Sequence, residues 1–197
     1  MAVVAWKLRA GRESDRRALA KLDSSFSNEW LLQLSRFGDP IAQTVELRWR
    51  KVRPAGSTRD FPVDEVLLGD ELEAADRLVV AEAGGRIAGY LALRKNWNDT
   101  AEIGGIIVDA AHRGRGLGRR FVREAERFAQ RQRLRAVQWE AQTDNRAALE
   151  FAVGQGFRIS GYNDALYANR GHEQQLASSF RGIAVFLVKE LNYAQRR

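Results

Sequence analysis

The sequence predicts an α/β protein, and three observations carry that prediction. A β-branched apolar run at 103–108 enters a loop with glycines at 114, 116 and 118, and a helical apolar period begins at Leu117. An extended run at 136–141 is followed by a helical segment at 144–155, closed by Gly156. Two extended runs, 78–83 and 86–94, flank Gly84-Gly85, a two-residue loop suited to a hairpin.

Taken in order, residues 6–9 form a first strand and 13–22 a helix, with Ser14 at its cap and Leu19 and Leu22 on one face. The stretch 26–61 is the least regular. Trp30, Leu31, Leu34 and Phe37 have helical spacing, Gly38-Asp39-Pro40 breaks it, and 44–52 alternates as a strand. A helix is expected at 64–74. Trp97-Asn98-Asp99 turns the chain into the strand 101–108, and Leu117, Phe121, Ala125 and Phe128 mark the buried stripe of a helix running to about residue 133. A last strand spans 183–188. With 197 residues, and no repeat or linker dividing them, the expectation is one domain over 1–197.

Composition narrows the function. There is no cysteine, hence no disulfide, thiol nucleophile or thiolate metal site, and His112 and His172 both sit in Arg-flanked loop sequence, so no metal site is expected. No apolar run is long enough to span a bilayer and the N-terminus lacks the pattern of a signal peptide, so the expected location is cytoplasmic, away from membranes. The net charge of +7 raises the question of nucleic acid. Residues 109–135 carry nine Arg against three acids, an excess of six. Charge gathered on one glycine loop and its helix suits a compact polyphosphate better than a long backbone track. Phe121 and Phe128 fall on the buried stripe rather than among the cations, so nucleic acid is not expected as a partner. The loop itself is an anion cradle in outline. The first turn of a helix leaves its N–H groups unpaired, and glycine lets a phosphate approach the main chain.

Arg113-x-x-Gly116-x-Gly118 between a strand and a helix, followed by Asn145-x-x-Ala148-x-x-Phe151-x-x-x-x-Gly156-Phe157, resembles the GNAT superfamily of acetyl-CoA-dependent N-acetyltransferases. The match is clearest over 78–161. The resemblance implies a mixed central sheet with helices on both faces and a splayed pair of parallel strands, here 101–108 and 136–141, which admits acetyl-CoA as co-substrate. It places the pantetheine arm along Ile106, Ile107 and Val108, the pyrophosphate on the backbone of Arg113, Gly114, Arg115, Gly116, Leu117, Gly118 and Arg119, and Asn145 either on the cofactor arm or bracing the second helix. Taken by itself, Asn145 is equally a local turn or cap residue beside Thr143 and Asp144.

Within the superfamily, Trp97-Asn98-Asp99, Arg113-Gly114-x-Gly116 and Glu140-x-Gln142-Thr143-x-Asn145 together look like streptothricin acetyltransferases. That likeness implies a small cationic amine as acceptor, with Trp97, Asp99 and Glu140 at the acceptor groove and Glu102 and Asp164 as further acids near it. The plain alternatives are a turn residue for Asp99, wet-face strand residues for Glu102 and Glu140, and a loop charge for Asp164. Many relatives carry a glutamate in mid-strand where this chain has Gly104-Gly105, and a tyrosine where it has Ala152. Strand alternation puts Glu102 on the face of Gly104, which makes Glu102 the expected base, with Tyr162, Tyr167 or Tyr90 supplying a phenol. Glycine in a strand otherwise marks a bulge or a close backbone approach. Rival functions are acetylation of a protein N-terminus or lysine, and a CoA-binding module without catalysis. The oligomeric state is left open, with a homodimer among the options.

Overall fold

The computed structural model describes residues 5–59, 65–166 and 182–191. In chain order the elements are β1 (Lys7–Ala10), α1 (Arg16–Leu19), β2 (Phe26–Ser27), β3 (Trp30–Gly38), β4 (Gln43–Lys51) and β5 (Thr58–Arg59). There follow α2 (Glu65–Glu73), β6 (Arg77–Ala83), β7 (Arg86–Lys95), β8 (Thr100–Val108), α3 (Leu117–Arg131), β9 (Ala136–Gln142), α4 (Arg146–Gly154), β10 (Arg158–Asn163) and β11 (Ala184–Glu190). The described residues divide into two compact units. The first runs up to Ser25, then from 65 to Trp139 and from Val188 onward; the second holds Phe26–Arg59 and the described residues from Glu140 to Leu187.

In the first unit the strands lie in the order β1-β6-β7-β8-β9. The pairs β1/β6, β6/β7 and β7/β8 are antiparallel and β8/β9 is parallel, so the sheet is mixed, as expected. Alternation along β7 explains how both faces are covered. A Cβ at Gly89 would meet the Phe121 ring at 3.2 Å, which places α3 on that face. The opposite face carries Tyr90 and Ala92, which cluster with Leu19, Leu22, Leu68 and Val80. The predicted stripe of α3 is buried at Leu117, Phe121, Ala125 and Phe128. The hairpin turn at Gly84-Gly85 has φ of 56° and 76°, values that glycine adopts without penalty.

Two expectations are corrected. Residues 30–37 form a strand, not a helix: β3 pairs with β4 over nine residues, from Trp30↔Lys51 to Gly38↔Gln43. A short apolar run fits either period, and cross-strand packing decides here. The Arg146 guanidinium lies 4.7 Å from the Trp30 ring centre and 5.2 Å from that of Trp49. The helix expected over 13–22 is a 3-10 turn, Glu13–Asp15, followed by the single turn of α1, and Ser14 does not cap it. The acceptor at that start is the Asp15 carboxylate, which takes the Arg12 N–H at 2.8 Å.

Asp15 is also part of a charged network centred on Arg9 of β1. Arg9 donates to Asp15 Oδ2 and Oδ1 at 2.7 and 2.8 Å and to Glu82 Oε1 at 2.7 Å, while Asp15 is only 8% exposed. The hydrogen bonds from Arg9 hold the Asp15 carboxyl below its usual range. A carboxyl lowered in the folded state stabilises the fold at neutral pH, and that contribution is lost as pH falls through the lowered value. Arg9→Met is therefore expected to cost about 1–3 kcal/mol at pH 7. The deficit should shrink with acidification, because the wild-type chain then loses the same pairing. Denaturant titrations at descending pH read the difference directly.

Candidate active site at the end of strand β8

β8 is irregular where the sequence places two glycines. Ile103 pairs with Leu93 and Gly105 with Ala92, so Gly104 is an extra residue and the strand bulges. The bulge shifts the alternation by one. Partners across an antiparallel ladder share a face, so Glu102, opposite Arg94, shares its face with Gly105, opposite Ala92, and a Cβ on Gly104 would also stand 3.8 Å from Glu71 Cγ. The ladder with β9 runs only from Thr100↔Ala136 to Ile103↔Trp139, in the region where the family resemblance has the strands part. β8 continues against β7 to Val108, and its other edge offers main-chain groups to an extended ligand with amides of its own.

The strand delivers the chain into a braced loop. The Asp109 carboxylate accepts the N–H of Ala111 at 3.0 Å and of Asp23 at 3.1 Å. The Arg113 guanidinium donates to the carbonyls of Val108 at 2.9 Å and Asp23 at 2.7 Å, and to that of Ser25. Its side chain is thus a clamp on the loop, and the main chain of the loop beyond it is open to an anion. Gly114 and Gly116 have φ of 70° and 91°, and nothing lies within 4 Å of where a Cβ would stand on either. Gly116 is the N-cap of α3, Leu117 beside it is buried, and Gly118 and Arg119 follow in the first turn, whose N–H groups have no partner within the helix. Arg115 and Arg119 are exposed, and Ile106, Ile107 and Val108 are half-buried along the strand leading in. An arm of amides lying on β8 with a pyrophosphate at the helix start fits these groups.

Glu71, on α2, is a site residue that no sequence motif marks. Its carboxylate lies over Gly105: a Cβ there would stand 1.9 Å from Oε1. Oε2 is 3.5 Å from the Tyr90 hydroxyl, and the buried Oε1 has no hydrogen-bond partner among the described residues. Burial pushes the carboxyl up to about 7, against the Tyr90 hydrogen bond and the charge of Arg94, which both favour the ionised form. Burial likewise raises the Tyr90 phenol well above its usual value, so it stays protonated. The sequence signal was an acid on an apolar helix face, three residues after buried Leu68.

The remaining expected residues fall on several elements of the two units. Glu102 accepts from Arg94 Nη2 at 2.6 Å and from Asn96 Nδ2 at 3.0 Å, so both its oxygens are engaged. Trp97 is 91% exposed in the β7–β8 turn. Asp99 sits in the same turn with φ of 58°, its N–H donating to Asn96 and its carbonyl accepting from Arg135. That turn is at the opposite end of β8 from the glycine loop, on the order of 25 Å away at the rise of an extended strand. In the second unit, Asn145 Oδ1 accepts the Ala148 N–H at 3.1 Å, which makes Asn145 the cap of α4. Glu140 is half-buried in β9. The Tyr162 ring lies 5.3 Å from the Arg36 guanidinium, which also pairs with Asp164 and holds that carboxyl below its usual range. Tyr167 and His172 lie outside the described residues. Among the described residues there is no group of three or more potential metal-binding side chains, and no helix is long and apolar enough to cross a membrane.

The Acetyltransferase (GNAT) family model matches residues 41–157. The chain is 30% identical over 178 residues to streptothricin acetyltransferase of Streptomyces lavendulae, covering 87% of this chain and 92% of that protein. A crystal structure of a Bacillus anthracis str. Ames protein, assigned as a streptothricin acetyltransferase and solved with acetyl coenzyme A, has a TM-score of 0.72 at 21% identity, covering 97% of this chain and 100% of the other. Nourseothricin acetyltransferase gives 0.76 at 24% identity, over 95% of this chain and 99% of its own. With the family matched across both sequence motifs, and one relative similar along most of its length, the chain belongs to the acetyltransferase (GNAT) family and is an acyltransferase.

Proposed function

We propose that this chain moves an acetyl group from acetyl-CoA to a primary amine of a small cationic acceptor, with a streptothricin-type antibiotic the first acceptor to test. The observation that carries the acetyl-CoA part is the continuity of β8 with the glycine loop: one strand edge for an amide-bearing arm leads straight to a main-chain anion cradle. The acceptor rests on the similarity to the Streptomyces lavendulae enzyme along most of both chains.

Bound acetyl-CoA supplies an activated thioester. The half-buried side chains of Ile106, Ile107 and Val108 flank the arm, and the backbone of Arg113 to Arg119 neutralises the pyrophosphate. A lysine-type amine is almost fully protonated at neutral pH, so a group of the chain has to take its proton before nitrogen can attack. A backbone N–H on β8 beyond the β9 ladder then stabilises the oxyanion, and no acyl-enzyme is required.

The test is thiol release from acetyl-CoA with streptothricin, a polyamine and a lysine-bearing peptide assayed in parallel and product masses determined. Streptothricin is expected to turn over in the ordinary enzyme range of about 1–10³ per second, gaining one acetyl group. Turnover of the peptide in place of streptothricin would move the chain to protein acetylation. Acetyl-CoA binding with no turnover on any of the three would favour a binding module.

A further inference from the structure

We propose that Glu71 is the general base of this enzyme, taking the proton from the acceptor ammonium beside Gly105. The inference rests on the acetyl-transfer reading above and deepens it. It is carried by geometry within one unit. The carboxylate reaches across from α2 to lie over the bulged part of β8, and it occupies the space that a side chain at Gly105 would fill. Gly105 directly precedes Ile106, so Glu71 stands where the strand meets the expected acetyl arm. The buried, unpartnered Oε1 is the atom that accepts the proton, and Tyr90 keeps Oε2 oriented. Glu102, the other carboxylate on this face, is held by Arg94 and Asn96 and does not offer an open oxygen in the same way.

The chemistry balances. Glu71 as carboxylate takes one proton from R–NH₃⁺; the nitrogen lone pair forms the C–N bond as the C–S bond breaks. The second nitrogen proton is the equivalent of the one taken up by the departing thiolate, and Glu71 later releases its own proton to solvent. A base titrating near 7 is matched to this task at neutral pH, because it is substantially ionised yet still basic. The charged and titratable groups around it are Tyr90 and Arg94 on β7, Glu102 on β8 acting through Arg94, and Arg16 of α1, which lies against Gly69 one turn-fraction back on α2. Arg94 favours the ionised carboxylate, so removing its charge raises the pH at which Glu71 ionises.

The experiment is the pH dependence of kcat/KM with streptothricin for wild type, Glu71→Gln and Arg94→Gln, with near-ultraviolet circular dichroism and acetyl-CoA affinity measured on each. Wild type should gain activity through an acid limb near pH 7. Glu71→Gln should stay folded, bind acetyl-CoA as before, lose that limb and fall by at least roughly 10²-fold. Arg94→Gln should move the limb to higher pH. Glu71→Gln activity within roughly threefold of wild type, or a large loss with the limb still in place, would overturn the assignment while leaving acetyl transfer intact. A wild-type chain that acetylates no amine would instead remove the acetyl-transfer reading, and the base with it.

Discussion

Gly105→Ala is expected to lower kcat/KM for the amine by roughly 10²-fold, about the lower end of what a positioned base contributes, without unfolding the chain or releasing acetyl-CoA. The added methyl carbon would stand 1.9 Å from Glu71 Oε1 and 2.7 Å from its Cδ, distances no carbon tolerates, so one of the two side chains has to move. The obstructing atoms are the far end of a flexible side chain on α2. Glu71 swings away, the contact with Tyr90 is lost, and the backbone of β8 stays in place. Alanine at Gly104 is the matched comparison: its Cβ would meet nothing closer than Glu71 Cγ at 3.8 Å, and activity should remain within a few-fold of wild type. If Gly105 acts through Glu71, the double variant Gly105→Ala/Glu71→Gln should be no worse than Glu71→Gln alone, because groups acting as one unit are not additive. Additive losses would mean that Gly105 serves the arm of the co-substrate and not the base.

The parts of this fold that sequence shows are those in which local chemistry and tertiary packing agree. The stripe Leu117, Phe121, Ala125 and Phe128 belongs to a helix long enough for its period to be unambiguous, and all four side chains are buried. Gly84-Gly85 sits between two alternating strands and has the positive φ values such a turn needs. Trp30, Leu31, Leu34 and Phe37 mislead because apolar side chains stand on both faces of β3, at 30, 32 and 34 on one and at 31 and 37 on the other, and their combined spacing imitates a helical period. The choice is made by pairing with residues 43–51 and by Arg146 on the two tryptophan rings.

The pair Gly104-Gly105 correctly signals both a bulge and a close approach, one on each glycine. What no spacing rule supplies is the partner, since Glu71 comes from more than thirty residues earlier through the packing of α2 on β7. Strict alternation points to Glu102, and the bulge is the physical reason that Gly105 shares the Glu102 face too, under Glu71. Asn145 caps α4 through its Oδ1, the local role that its sequence also allows. Trp97 and Asp99 belong to the turn that starts β8, and Asp99 adopts the left-handed backbone conformation there.

Gly116→Val tests the cradle itself. Gly116 has φ of 91° as the N-cap of α3, a conformation that costs a β-branched residue about 1–3 kcal/mol. Leu117 is buried beside it and anchors the helix, so the strain is relieved by reorienting the peptide groups between Gly114 and Gly118 and not by moving α3. Those are the groups proposed to face the pyrophosphate. Affinity for acetyl-CoA, measured by calorimetry, should fall by roughly 10–100-fold, the equivalent of about 1.4–2.8 kcal/mol. Arg115→Ala and Arg119→Ala remove exposed charges instead, and each should cost about 1 kcal/mol or less, vanishing at high salt. The contrast separates two ways of binding a pyrophosphate. A main-chain cradle keeps most of its affinity in salt and loses it to one valine; a cationic surface loses affinity in salt and is indifferent to the valine.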